Sequence, residues 1–361
     1  TAEQLREWIL TARSSVNQPL IVAVDQEGGR VVRFDQDLCA FPGNAALGAI
    51  AQQDLAQASE LTYQQAYLQA QQLQALGIDV NLAPVADLLD SGGLGLGDRS
   101  FGADPQITSA LVTAYVKGQE AGGVRSVLKH LPGLRKAQAD PHLQVAAIAG
   151  ELEACDLEPF EAGIAAGAPA LMSTHVLQKA LDPQQLLTLS KRGLSLLTER
   201  LQFDGWIISD DMEMGALDLA NPNQSLKEVT QAALLAGHDA ILYCADLQQQ
   251  RQAHVSLVEL FHTDKSLADQ LAARQCYLSE AYALKACEGR DRLDAKFIQQ
   301  RALQLAEDIA QQSTRTWQAR CGFLPLSAAK SACLVLPTLS ENTSIEEGLR
   351  GEKFSLLRGR L

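Results

Sequence analysis

Four stretches of this chain repeat one cadence, in which an Ala-rich helical run closes on glycine and passes within a few residues into an apolar, β-prone run. They read LQALGIDVNLAPVAD (73–87), KGQEAGGVRSVLKH (117–130), EAGIAAGAPALMSTH (161–175) and LLAGHDAILYC (234–244). Glycine after the last helical residue is a common C-cap, and a short turn into a strand that is apolar on both faces implies parallel strands buried on both sides. PLIVAVD (19–25) and FDGWIISD (203–210) raise the strand count to six, each but the last followed by a clear helical pattern. Residues 51–76, rich in Gln and Ala with Leu and Tyr at helical spacing, predict an amphipathic outer helix. The fold class expected is therefore α/β, a TIM-like (β/α) barrel of the kind that takes about 250 residues.

The ends of the chain fit that frame less well. A closed barrel is expected to begin with a strand, whereas this chain opens in a helix, so the strand at 20–25 should expose an edge. Beyond residue 250 the pattern is helical (266–285 and 292–313), and one lone strand candidate follows at 332–336. The expected organisation is a catalytic barrel over 1–255, a helical extension over 256–320, and over 321–361 the opening of a second αβα domain, apparently truncated.

Composition narrows the classes of function. A net charge of −13 leaves no basic stripe to meet a phosphate backbone, so nucleic acid is excluded as a partner. No apolar run approaches the roughly 18–20 residues of a membrane span. The seven cysteines are scattered, without a Cys-x-x-Cys pair or a Cys/His ligand spacing, and read as buried thiols in a reducing compartment rather than as a metal site. A cytoplasmic location is expected; because the first residue is Thr, export after removal of a signal is the alternative.

Parallel barrels carry their chemistry at the C-terminal ends of the strands, and several polar groups stand there. In GWIISDDMEMGA an apolar run delivers Asp210 and Asp211 into a polar turn. Asp210 is the first candidate, since a carboxylate at that place can attack an anomeric carbon; Asp211 and Glu213 read more simply as turn and cap residues. Lys129 and His130 end the VLKH strand, and Arg99 lies in GDRSFG; these are groups suited to holding sugar hydroxyls. Asp25 begins DQEGGRV, where Gly28 and Gly29 allow close backbone approach and Glu27 and Arg30 read as stabilisers of the turn. His175 also ends a strand, with no partner evident in the sequence. Asp140 and His142, two apart in the polar loop GLRKAQADPHLQ, can hydrogen bond so that the carboxylate orients the imidazole.

Taken in order, VDQEGGRV, NLAPVAD, GDRSFG, KHLPG, DPH and SDDMEM resemble glycoside hydrolase family 3, and within it the β-N-acetylglucosaminidases that recycle bacterial cell-wall fragments. The resemblance covers roughly residues 5–250, and six motifs in sequence are far more specific than any one. It implies a retaining exo-β-N-acetylglucosaminidase acting on terminal GlcNAc of small glycans or peptidoglycan fragments, with no metal or organic cofactor. By resemblance, Asp210 is the nucleophile, His142 the acid/base and Asp140 its partner, while Asp25, Arg99, Lys129 and His130 hold the terminal sugar. A histidine acid/base also tolerates an anionic acceptor, so phosphorolysis stands beside hydrolysis. Where the family usually has KHFPGHG, this chain has Leu131, Leu134 and Arg135, and Pro141 replaces the serine between Asp and His. The expectation is a stiffer loop, with Asp140 biased towards an extended conformation. The alternatives are a β-glucosidase or β-xylosidase of the same family, and a sugar-binding homologue impaired in catalysis.

Overall fold

The computed structural model describes residues 1–17, 20–35, 37–89, 96–137, 139, 145–148, 150–281 and 295–314. Six strands form one sheet: β1 (Ala23–Val24), β2 (Val80–Asn81), β3 (Arg125–Leu131), β5 (Ala170–Ser173), β7 (Trp206–Asp211) and β8 (Ala240–Leu242), in that spatial order. Every pair is parallel. These are the six strands expected, four from the repeated cadence and two from PLIVAVD and FDGWIISD, in chain order. The strand expected at 20–25 shrinks to two residues.

The strands alternate between two apolar layers, which explains why they read as unbroken hydrophobic runs. Val127, Ala170, Met172, Trp206 and Ile208 join Val80 and Leu82 in one cluster, while Leu128, Leu171 and Ile207 belong to a second that includes residues of the surrounding helices. Helix α1 (Ala2–Ser15) opens the chain, and α2 (Asn44–Ala51) and α3 (Leu55–Leu76) follow β1. The helix expected over 51–76 is α3, which begins four residues later, where Asp54 caps it; Ala51 is the last residue of α2. Next come α4 (Pro105–Gly122), α5 (Ala154–Ala165), α6 (Lys191–Leu201), α7 (Gly215–Ala220) and α8 (Leu226–Ala236). Gly77 and Gly123 end α3 and α4 at φ 91° and 89°, left-handed caps that a β-carbon would strain.

Two further strands, β4 (Ala146–Ile148) and β6 (Val176–Gln178), pair in parallel as a small second sheet not expected from the sequence. Each is three residues long, too short for periodicity to single out.

Six strands curl the sheet, and among the described residues no ladder joins β1 to β8, so there the barrel is open. The exposed edge expected at 20–25 is there: Leu20, Ile21 and Ala23 are exposed. At the other end of the chain, α9 (Leu247–Thr263), α10 (Lys265–Ala281) and α11 (Ala295–Ser313) pack back on the barrel. Arg274 of α10 bonds Asp239 and the Gly205 carbonyl, just before β8 and β7 begin. Leu278 enters the cluster formed by the strand interiors. Helix α11 lies along α3 and α2, burying Ile298, Ala302, Leu305 and Ile309. No helix among the described residues is long and apolar enough to cross a membrane. The strand expected at 332–336 and the expected second domain over 321–361 lie outside the described residues.

Candidate active site

The C-terminal ends of β1, β2 and β3 bring together a chain of ionised groups. Lys129 Nζ lies 2.8 Å from Asp25 Oδ1 and 2.6 Å from Glu27 Oε1. Glu27 in turn receives Arg99 through two parallel bonds, Nε to Oε2 at 3.0 Å and Nη2 to Oε1 at 2.9 Å. Arg99 Nη2 is also 3.2 Å from His130 Nε2, and His130 Nδ1 is 2.6 Å from Asp87 Oδ2. A guanidinium only donates and a carboxylate only accepts, so the imidazole carries its proton on Nδ1 and accepts at Nε2.

Asp87 is fully buried and accepts further bonds from the backbone N–H groups of His130 and Leu134. Burial alone would raise the Glu27 pKa, but the charges and bonds of Arg99 and Lys129 outweigh it and hold the carboxyl at about 2. Lys129 is 2% exposed and Asp25 is 28% exposed, with Arg33 Nη2 3.9 Å from its other oxygen, so the network comes to the surface at a carboxylate that solvent, or a hydroxyl, can reach.

Local backbone makes this approach possible. Gly28 and Gly29 have φ of 104° and 57°, and a β-carbon on Gly29 would stand 2.3 Å from the Asp98 carboxylate. The turn after β1 therefore packs directly against the segment that carries Arg99. Arg30 pairs with Asp98 at 3.3 Å, in keeping with its reading as a turn residue. Glu27 corrects that reading: it is the buried hub of the network, bonded to residues 72 and 102 positions away, which nothing in its neighbourhood of sequence reveals.

Across the mouth, β5 and β7 run side by side with Ser173 opposite Ser209. Asp210 is 6% exposed. Its Oδ2 accepts from the Thr174 hydroxyl at 3.2 Å and its Oδ1 from the Asp211 N–H at 2.9 Å. Asp211 Oδ1 accepts the N–H groups of Glu213 and Cys244, and Glu213 those of Ala245 and Asp246, so both acidic neighbours hold the turns after β7 and β8, as expected. Burial, chiefly, raises the Asp211 pKa.

The Cys244 thiol pKa is pushed up, by desolvation of the sulfur and then by the charges of Asp211, Asp25 and Asp210. The expectation of uniformly buried thiols fails here, since Cys244 and Cys276 are exposed while Cys39 is buried. Cys287, Cys321 and Cys333 lie outside the described residues. His175, for which the sequence shows no partner, lies with Nδ1 2.7 Å from Thr188 Oγ1 and Nε2 2.8 Å from the Asp211 carbonyl.

Asp140 and His142 lie outside the described residues. The stem just before them is described. Arg135 Nε bonds Asp156 Oδ1 at 2.6 Å, Arg135 Nη2 bonds Glu153 at 2.8 Å, and Lys136 also pairs with Glu153. Glu153, Cys155 and Asp156 are close enough to share a cation, but these two side chains already supply positive charge there. Ionic bonding holds the Glu153 pKa at about 2, with Lys136 and then Arg135 as the main causes.

The sequence model of the glycosyl hydrolase family 3 N-terminal domain matches residues 1–275. A beta-hexosaminidase of Xylella fastidiosa (strain M23) is 37% identical over 244 residues, 67% of this chain and 72% of that protein. One from Stenotrophomonas maltophilia (strain R551-3) is 37% identical over 245 residues, with the same coverage. Among solved structures, a glycoside hydrolase family 3 β-N-acetylglucosaminidase from Paenibacillus sp. str. FPU-7 superposes with a TM-score of 0.75 at 30% identity, covering 86% of this chain. This chain spans only 60% of that protein. NagZ from Neisseria gonorrhoeae, solved with N-trifluoroacetyl-D-glucosamine, gives a TM-score of 0.68 at 29% identity, covering 86% of this chain and 87% of its own.

Proposed function

Because the chain belongs to glycosyl hydrolase family 3, we propose that it is a retaining exo-β-N-acetylglucosaminidase, releasing terminal GlcNAc from small glycans or peptidoglycan fragments. The observation that carries this reading is the pairing of two different environments at one mouth. A buried ionic network comes to the surface at the reachable carboxylate of Asp25, and at the end of β7 stands a second carboxylate, Asp210, bonded to neutral donors. The relatives named beta-hexosaminidase and the NagZ structure solved with an N-acylated glucosamine analogue support GlcNAc as the sugar.

In this mechanism Asp210 attacks the anomeric carbon and forms a glycosyl ester as the glycosidic bond breaks. His142, oriented by Asp140, gives its proton to the leaving oxygen and then takes one from the incoming water, which displaces Asp210. Asp25 accepts bonds from the sugar hydroxyls. Lys129 and Arg99 hold that edge of the site in place, and His130 supports Arg99 through Nε2 while Asp87 fixes its tautomer. The sugar sits where few groups reorganise, which is how a preorganised polar site lowers a barrier.

Comparing kcat/KM for 4-nitrophenyl β-glycosides of GlcNAc, glucose and xylose tests the reading. A GlcNAc preference is expected. A preference for glucoside or xyloside would move the protein to the other branch of the family, and tight sugar binding without turnover of any of the three would make it a binding protein.

A further inference from the structure

We propose that Thr174, His175 and Thr188, together with Ser209, form a positioning device for the Asp210 carboxylate; this rests on Asp210 being the nucleophile. Both oxygens of Asp210 have a donor, Thr174 Oγ1 on Oδ2 and the Asp211 N–H on Oδ1. The second donor is only as well aimed as the peptide it belongs to, and that peptide is held at its other end. The Ser209 hydroxyl donates to the Asp210 carbonyl at 2.8 Å, and Ser209 Oγ itself accepts the Leu242 N–H at 3.0 Å.

The next peptide is held by His175. A carbonyl only accepts, so Nε2 carries the proton that bonds the Asp211 oxygen, leaving Nδ1 to meet Thr188 Oγ1. Thr188 has one hydroxyl proton, which the shorter contact gives to Nδ1, so its 3.2 Å approach to the Thr174 carbonyl packs the imidazole's support beside the residue that bonds Asp210 without adding a second full bond. The lattice closes at the place where the β7–β8 register shifts between Ile208 and Asp211.

Thr174, His175, Thr188 and Ser209 are all at most 1% exposed. Burying four polar side chains is unfavourable unless each is bonded, and here the bonds run to Asp210, to the peptides that flank it, or to one another. An apolar strand end would pack as well and would leave the nucleophile free to rotate. Attack on an anomeric carbon needs the carboxylate in line, and a misplacement of about 1 Å is worth up to about a hundredfold in rate. Such a device affects the bond-forming step and leaves sugar binding, which rests on the ionic side of the mouth, nearly untouched.

The test uses the full chain with Thr174→Val, Thr174→Ser, His175→Phe and His175→Gln, the serine and glutamine keeping a donor at the atom concerned. Two quantities are read: kcat and KM on 4-nitrophenyl β-GlcNAc, and the rate at which 5-fluoro-GlcNAc fluoride labels Asp210, located by peptide mass. Thr174→Val and His175→Phe should label and turn over at least about tenfold more slowly, with KM within about threefold of wild type. Thr174→Ser and His175→Gln should recover most of the loss. Thr174→Val is nearly isosteric, so it decides the matter if the phenylalanine variant does not fold. Wild-type labelling rates in Thr174→Val, or a loss confined to KM or to melting temperature, would overturn the proposal while leaving Asp210 as nucleophile. Labelling of wild type at a residue other than Asp210 would instead overturn the nucleophile assignment, and the proposal would fall with it.

Discussion

The two sides of the mouth are built on opposite electrostatic plans. On the β1–β3 side, Asp25, Glu27, Arg99, Lys129, His130 and Asp87 form a relay of full charges and one imidazole, with contacts of 2.6–3.2 Å. On the β5–β8 side, Asp210 is held by a hydroxyl and a backbone N–H, and the groups behind those donors are neutral hydroxyls, backbone and His175. Charge-assisted bonds give strong, fixed placement, which suits a surface that must hold a sugar ring. They would also stabilise a nucleophile's lone pairs and oppose its attack. Neutral donors aim the carboxylate while leaving it more reactive. The difference suggests a division of labour in which one side binds and the other reacts.

The largest effect that could break this comparison is Asp210→Asn. The amide is close in shape but cannot form the ester, so turnover should fall by about four orders of magnitude or more on every substrate, with an unchanged circular dichroism spectrum and sugar affinity retained. Activity near wild type, with deamidation excluded by mass, would move the nucleophile to Asp211.

Next in size is His142→Ala. If this histidine is the acid, glycosylation from a nitrophenyl leaving group should hardly slow, whereas alkyl or sugar leaving groups should lose about 10²–10⁴-fold. Asp140→Ala should show the same dependence more weakly. Equal losses on both kinds of substrate would make His142 a binding residue and return the acid to the mouth's own ionised groups.

Stability against pH separates the two sides more finely. Glu27 titrates at about 2 when folded and near 4.5 when not; its folded pKa is depressed, so its contribution is complete above 4.5 and drains away as pH falls towards 2. His238, which bonds Ser173 of β5, is held at about 4, mainly by burial, from an ordinary value of 6.5. The unfolded chain takes up that proton first, so His238 lowers stability as pH falls from 6.5 towards 4. Melting temperature should therefore decline in two windows. His238→Gln should flatten the upper one. Glu27→Gln should flatten the lower one while costing about 3–5 kcal/mol near neutrality, since it leaves Lys129 and Arg99 poorly compensated. A single acid transition shared by wild type and both variants would contradict this assignment.

What the sequence makes legible follows the same division. The six strands are readable because burial on both faces writes an apolar run that stops at a polar residue, and Asp25, Lys129, His130 and Asp210 are readable because they are those stops. Glu27 and Asp87 are misread or passed over, because their importance lies in partners 72 and 43 residues away. Thr174 and Thr188 resemble any strand-end or loop threonine until β5 and β7 are laid side by side. The β4–β6 pair escapes because three residues carry no period. Asp140 and His142 rest on their spacing in a polar loop and on the motif resemblance, and lie outside the described residues.

The smallest expected effect concerns Arg135, where this chain departs from the family's usual glycine. Its guanidinium joins the stem after β3 to the first turn of α5, five positions before Asp140. Asp156 is buried, but its other oxygen still accepts the Glu153 N–H in the helix cap, so loss of the arginine would not leave it without a partner. Glu153 is half exposed and would keep Lys136. Arg135→Gly should therefore cost only about 1 kcal/mol, or about 2–4 °C in melting temperature for a domain of this size. Its kinetic signature should be selective: within about twofold of wild type for nitrophenyl β-GlcNAc, and a change of up to about tenfold for alkyl leaving groups, which depend on the acid. If both substrates change together, Arg135 acts through the ionic side of the mouth, by way of Leu134 and its bond to Asp87, and the stem would belong to the binding half rather than to the acid.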